Sequence, residues 1–360
     1  MIKDSQKNLL IEAWSKAHKG ETFRLLATNN TTDQNSNLIE ALRNFERAIE
    51  ENPNFIWAIA HKGLANRELG NLDEAISDFQ NVINNVPDSP WGYAQLGDTY
   101  RQKMARTSNP DALKKSAIDN FKRAIDLYSG GEYAWAHAHL GATYCLLGSI
   151  YSRREDWEQA KISLDTAIDQ TKQSYAWAYA YMAVVEFKGF NNVKKALEYY
   201  DIARALDPRV FSHLNYQIGL LYYLNGEFDK ALETYTQELQ QETDKSFAIY
   251  GIAVTKIRQK GLNEAQTEIG RARQELNQKA DVFALYKLAA LATLEGQIDQ
   301  GLDYLQQAKA LRDHLIATVN ESLRGEFVNL ANNDLSWLGM DENRAFQELI
   351  LKSHKIEGNL

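Results

Sequence analysis

The side chains that most often carry chemistry are few here and badly spaced for it. Seven histidines and one cysteine occur in 360 residues. No two histidines stand four apart. His137 and His139, two apart, diverge by about 200° on a helix and cannot share a metal. There is no P-loop, no G-x-S-x-G elbow, no H-E-x-x-H and no C-x-x-C. Cys145 has no base beside it in sequence and reads as a packing thiol. The expectation is a chain that is not an enzyme and that uses no cofactor or metal.

What recurs instead is aromatic. Eight small residues, Gly20, Gly63, Gly97, Gly141, Ala183, Gly219, Ala253 and Ala289, are each preceded six positions earlier by a large side chain: Trp14, Trp57, Trp91, Trp135, Trp177, His213, Phe247 and Phe283. On a wheel at about 100° per residue, that position falls almost opposite the face that must meet a partner helix. A column of such residues offers a partner large contact area at low entropy cost. Three residues before each small residue stand Ala17, Ala60, Ala94, Ala138 and Ala180, then Tyr216, Tyr250 and Tyr286. Small residues follow the tryptophans and tyrosines follow His and Phe, as side chains filling one packed space would. Contact surface and inter-helix packing both stand open.

The elements that hold this column are legible in a second pattern: Ala, a large apolar residue four on, and a small residue seven on. It runs through Ala41/Phe45/Ala48, Ala75/Phe79/Val82, Ala117/Phe121/Ala124, Ala160/Leu164/Ala167, Ala196/Tyr200/Ala203, Ala231/Tyr235/Glu238, Ala265/Ile269/Ala272 and Gly301/Leu305/Ala308. With the upstream small residue, and with Pro53, Pro87 and Pro208 closing three copies, the pattern resembles the tetratricopeptide repeat, a 34-residue helix-turn-helix unit. Leu96-Gly97-Asp98-Thr99-Tyr100 and Ile218-Gly219-Leu220-Leu221-Tyr222 match that family's L-G-x-x-Y. The resemblance implies an all-α, right-handed α-solenoid, a superhelix of about eight such units with capping helices at both ends. Residues 1–12 read as an N-terminal lead-in, 13–311 as one solenoid and 312–360 as capping helices and tail. Glu238 and Gly301, at positions the family fills otherwise, are expected to loosen local packing.

Three repeats are stretched between the small residue and the following Ala, to 21, 20 and 19 residues. In the first, the polar run Thr28–Asn37 reads as a mobile loop. The second carries Asn109 as a helix cap with Pro110 in the first turn, and in the second and third each helix is expected to gain about one turn. Arg101, Lys103, Arg106, Lys114 and Lys115 stand there against Asp98 and Asp111. They form either a basic lip for an acidic partner segment or an ordinary solvated helix edge.

The resemblance implies a non-catalytic interaction scaffold, binding a partner protein or extended segment in a concave groove lined by Trp57, Trp91, Trp135, Trp177, His213, Phe247 and Phe283 with Tyr216, Tyr250 and Tyr286. The alternative is a ligand- or peptide-gated sensor. The Lys and Asn positions by which some family members clamp chaperone tails are Ala or Tyr and a mixed set here, so those tails are disfavoured. The net charge of −8 is even, −3 over residues 1–180 (20 basic, 23 acidic) and −5 over the rest, giving no basic face for nucleic acid. No lipidation or basic amphipathic signal points to a membrane, and the N-terminus lacks a secretory core, so the location expected is cytoplasmic.

Overall fold

The computed structural model describes residues 4–29, 33–107, 110–131, 133–207, 215–241, 245–279 and 281–316. These form helices with no β-strand among them. In chain order, α1 (Asp4–Asn29) is followed by α2 (Gln34–Glu51), α3 (Ile56–Leu69) by α4 (Leu72–Asn85), α5 (Pro90–Met104) by α6 (Asp111–Leu127) and α7 (Ala134–Tyr151) by α8 (Arg154–Gln170). Then come α9 (Ala176–Val184) and α10 (Val193–Leu206), α11 (Asn215–Leu224) and α12 (Phe228–Gln241), α13 (Ser246–Lys260) and α14 (Gln266–Asn277), and α15 (Val282–Leu294) and α16 (Ile298–Ile316). The chain divides into two compact units, Met1–Thr143 and Tyr144–Leu360. No described helix is long and apolar enough to cross a membrane.

The second helix of each pair is amphipathic for the reason its sequence gives. Ala41, Phe45 and Ala48 on α2, Ala75 and Phe79 on α4, and Ala117, Phe121 and Ala124 on α6 are all fully buried. Each Phe lies on the glycine of the first helix: a Cβ on Gly63 would stand 3.0 Å from Phe79, and one on Gly97 3.1 Å from Phe121. Close backbone approach thus lets a full aromatic ring enter the core, worth about 1.5–3 kcal/mol per ring. In the second unit the same residue types recur: Ala196, Tyr200 and Ala203 are buried, and Tyr235 is hemmed between Gly219 and Gly251.

Several expectations change. The ends of the run Thr28–Asn37 are helical, since α1 continues to Asn29 and α2 begins at Gln34, and residues 30–32 lie outside the described residues; a polar composition fits an exposed helix as well as a loop. Helix α1 also passes through residue 12 without a break. In the stretched repeats α7 and α8 have 18 and 17 residues against 14 each in α3 and α4, a gain of about one turn. In the other stretched repeat α6, with 17 residues, also gains about one turn, whereas α5 has only 15. Asn109 is outside the described residues, and Pro110 immediately precedes the helix. Gly301 does not loosen its site: a Cβ there would meet the Thr293 hydroxyl at 2.8 Å, so Thr293 takes the space an alanine fills elsewhere. The proposed C-terminal caps from residue 317 onward lie outside the described residues.

One further feature sits in the fifth repeat. Ala183 to Ala196 spans 13 residues, where four other repeats have 12. The extra residue appears as a single π-helical turn, Val185–Gly189, between α9 and α10. The Trp157 indole of α8 is wedged there, 2.7 Å from a Cβ placed on Gly189 and 2.6 Å from one on Gly148.

Candidate functional site

In the first unit, the tryptophan column is rooted in the preceding repeat. Trp57 meets Phe45 edge-on with centroids 6.3 Å apart, Trp91 meets Phe79 at 5.9 Å, and Trp135 stands 6.3 Å from Phe121. All three indoles stay half-buried, whereas Trp14 is 46% exposed. Each ring therefore packs on one side and reaches solvent on another. In the second unit Trp177 lies 4.3 Å from Tyr181, and Phe247 and Phe283 are half-buried. Tyr250 and Tyr286 correct the expected lining: at 3% and 0% exposure they belong to the interior, where the Lys287 ammonium lies 4.6 and 5.4 Å from their rings. His213 and the Tyr216 side chain lie outside the described residues.

The basic lip is largely neutralised. Arg101 donates to Asp98 from Nε at 2.9 Å and Nη2 at 2.6 Å, Lys114 pairs with Asp111 at 2.6 Å, and Lys103 pairs with Asp73 of α4. Asp73 lies too far away in sequence to enter a local charge count. Arg106 and Lys115 remain exposed, with the Arg106 guanidinium over the turn at Gly70.

The sequence reading missed a buried polar spine beside the tryptophans. Four residues after Gly20, Gly63 and Gly97 stand Arg24, Arg67 and Arg101, and one residue after the first and third stand Glu21 and Asp98. Glu21 accepts from Arg24 at 2.7 and 2.8 Å and from His61 Nδ1 of the next repeat at 2.8 Å; Arg24 also pairs with Glu68. Asp98, 3% exposed, accepts from Arg101, from Gln102 Nε2 at 3.0 Å and from His139 Nδ1 of the next repeat at 3.0 Å, and pairs with Arg67 at 3.2 Å. Each bridging histidine stacks on the tryptophan four residues before it, Trp57–His61 at 3.9 Å and Trp135–His139 at 3.8 Å. The detectable signal was W-x-x-x-H on the first helix of one repeat with an acidic residue and an arginine three apart on the first helix of the repeat before.

The electrostatics follow from this geometry. Burial pushes the Glu21 carboxyl up, but the hydrogen bonds from Arg24 and His61 outweigh it and bring it down to about 2. Burial likewise opposes ionisation of Asp98, and Arg101, His139 and Arg67 overcome it, holding the carboxyl well below the usual range. His139 is pushed below the ordinary imidazole value, by burial first and then by the two guanidiniums, against the pull of Asp98. Both carboxylates are thus fixed anions that tie one repeat to the next. Among the described residues, no three His, Cys, Asp or Glu side chains stand together as a metal site would need.

Comparison with known proteins agrees with the helix-pair geometry. The tetratricopeptide-repeat profiles match residues 61–89 and 181–246. Those two stretches are tetratricopeptide repeats. Several solved structures of low identity are similar to parts of the chain. A tetratricopeptide protein of Thermus thermophilus is 20% identical over 55% of this chain and 92% of that one, with TM-score 0.44. One from Parabacteroides merdae is 13% identical over 79% and 99%, with TM-score 0.48. PilW, a type IV pilus biogenesis factor, is 15% identical over 61% and 91%, with TM-score 0.48. No curated protein sequence matches. Tetratricopeptide repeats of this kind are protein-interaction scaffolds.

Proposed function

We propose that the first unit binds a partner protein, or an extended segment of one, across the open faces of Trp57, Trp91 and Trp135, without catalysis of its own. The observation that carries this reading is the half-burial of three indoles in register, each anchored on a Phe of the preceding repeat. Rigid, pre-placed aromatic rings lose little entropy on binding. Arg106 and Lys115 are the lip charges left to meet an acidic part of the same partner. Trp177, Phe247 and Phe283 carry the corresponding positions in the second unit.

The test begins with affinity purification from the native cell and continues with purified components. Trp91→Ala and Trp135→Ala are each measured for melting temperature and partner affinity. Loss of a binding hot spot costs about 2 kcal/mol or more, roughly a 30-fold rise in Kd, at a protein concentration and temperature where the variant is still folded. Both variants also lose stability, because each indole packs on a Phe. Lowered melting with unchanged affinity of the folded fraction refutes the contact surface and leaves the column a packing device.

A further inference from the structure

Helix α1 carries a row of large side chains turned away from its buried Ala13, Gly20 and Ala27. Ile11, His18 and Leu25 are seven apart, so each is rotated by only about 20° from the one before. Leu10, Trp14 and Leu26 fall within about 80° of His18 on either side. All six are exposed, Ile11 by 58% and Leu25 and Leu26 by 48% each. The one charge inside that arc between residues 10 and 26, Glu21, is already bonded to Arg24 and His61. An open end of the repeat array does not account for this face. Ile11 lies nine residues before Gly20 and Leu25 five after it; the same places in the next two repeats hold Asn54 and Asp88, and Glu68 and Gln102. Asn54, Asp88 and Glu68 stay exposed although α2 packs on α3 and α4 on α5. These positions therefore lie clear of the contact between repeats, and among the first three repeats the first alone makes both of them apolar.

Together the six side chains expose roughly 600 Å² per copy, the upper end for the largest patch on a monomer. Two such faces reach the ~1,200 Å² at which specific protein interfaces begin. The spacing also reads the same in both directions from His18. Two α1 helices laid antiparallel across a twofold axis at His18 set Ile11 of each copy against Leu25 of the other, with the two His18 side chains at the axis. We propose that this face of α1 is a self-association surface whose occupant is α1 of a second copy, antiparallel and centred on His18. The proposal does not depend on whether Trp57, Trp91 and Trp135 meet another protein.

The full chain is taken through sedimentation equilibrium over a range of concentrations. An interface at the small end of the size range is expected to give a dimer with a Kd of about 1–100 μM. Ile11→Glu and Leu25→Glu should each raise that Kd by about tenfold or more, with a native melting point, because each sets a charge against an apolar side chain of the other copy. Ile11→Lys combined with Leu25→Glu in one chain should recover most of the association, since each new charge then faces its opposite. Treated with copper phenanthroline, His18→Cys should form a covalent dimer that the wild type, whose single Cys145 is buried, does not. A wild type that stays monomeric to about 200 μM overturns the proposal, including one whose α1 face captures a different protein. So does a dimer that both glutamate variants leave intact, or one that His18→Cys does not cross-link. If a glutamate variant does not fold, wild-type sedimentation and the His18→Cys cross-link decide it.

Discussion

Replacing Asp98 by Asn keeps the shape of the buried carboxylate and removes its charge. In the wild type, Arg101 Nε and Nη2, Gln102 Nε2 and His139 Nδ1 donate to its two oxygens, and Arg67 pairs with it at 3.2 Å. The Asn side chain offers one oxygen and turns an amide N–H₂ toward groups that are all donors. Two guanidiniums, with side chains only 13% and 17% exposed, then lose the carboxylate they share. Breaking a buried pair in this way costs about 3–5 kcal/mol. For a unit the size of Met1–Thr143, each kcal/mol moves the melting point by about 2–4 °C, so the expected drop is roughly 6–20 °C. Thermal melts give the size, and amide exchange in α5 and α7 gives the place, because repeat arrays open locally. Asp98 is ionised well below its unfolded value, so its contribution is present at neutral pH and fades as pH falls below about 3.9. The gap between wild type and Asp98→Asn should therefore close in acid. A loss under about 1 kcal/mol at neutral pH, or a gap unchanged below pH ~3.5, refutes the reasoning.

Two further outcomes follow from backbone and packing. Ser152 and Asn191 hold φ of 53° and 51° in turns where other repeats use glycine, such as Gly70 and Gly226. Ser152→Gly should raise stability by about 0.5–1 kcal/mol and Asn191→Gly by less, since Asn tolerates this region better; a lower melting point for Ser152→Gly contradicts this. Gly219→Ala places a Cβ 2.6 Å from Tyr235, whose other side is hemmed by Gly251. It should cost about 1–3 kcal/mol and speed exchange in α12, and an unchanged melt shows that the ring has room to move.

The repeat units were legible because their spacing is a property of short segments: a glycine in one helix and an aromatic in the next meet within one hairpin. The π-turn was legible too, in the single 13-residue interval among 12s, but only if one extra residue is counted as a signal. The two ends of the polar run at 28–37 are helix where a loop was expected, because composition distinguishes exposed from buried, not helix from loop. For Tyr250 and Tyr286 the sequence left packing and contact both open, because a wheel gives angles and the neighbouring helix decides how deep each angle lies; their burial favours packing. The carboxylate spine escaped for a different reason. Glu21 and His61 are 40 residues apart, and Asp98 and His139 are 41, so their pairing is a product of stacking that no window within one repeat contains.

The π-turn has a consequence for how such a chain tolerates change. One residue added to an α-helix rotates everything after it by about 100°, which would carry buried side chains out to solvent. Here the π-turn closes the helix begun by α9, and after Phe190–Asn192 the separate helix α10 buries Ala196, Tyr200 and Ala203. The wider turn confines the length error to five residues, with an indole closing the space it opens. A residue added at the end of a helix, just before a connection, therefore leaves the next helix free to set its own buried face.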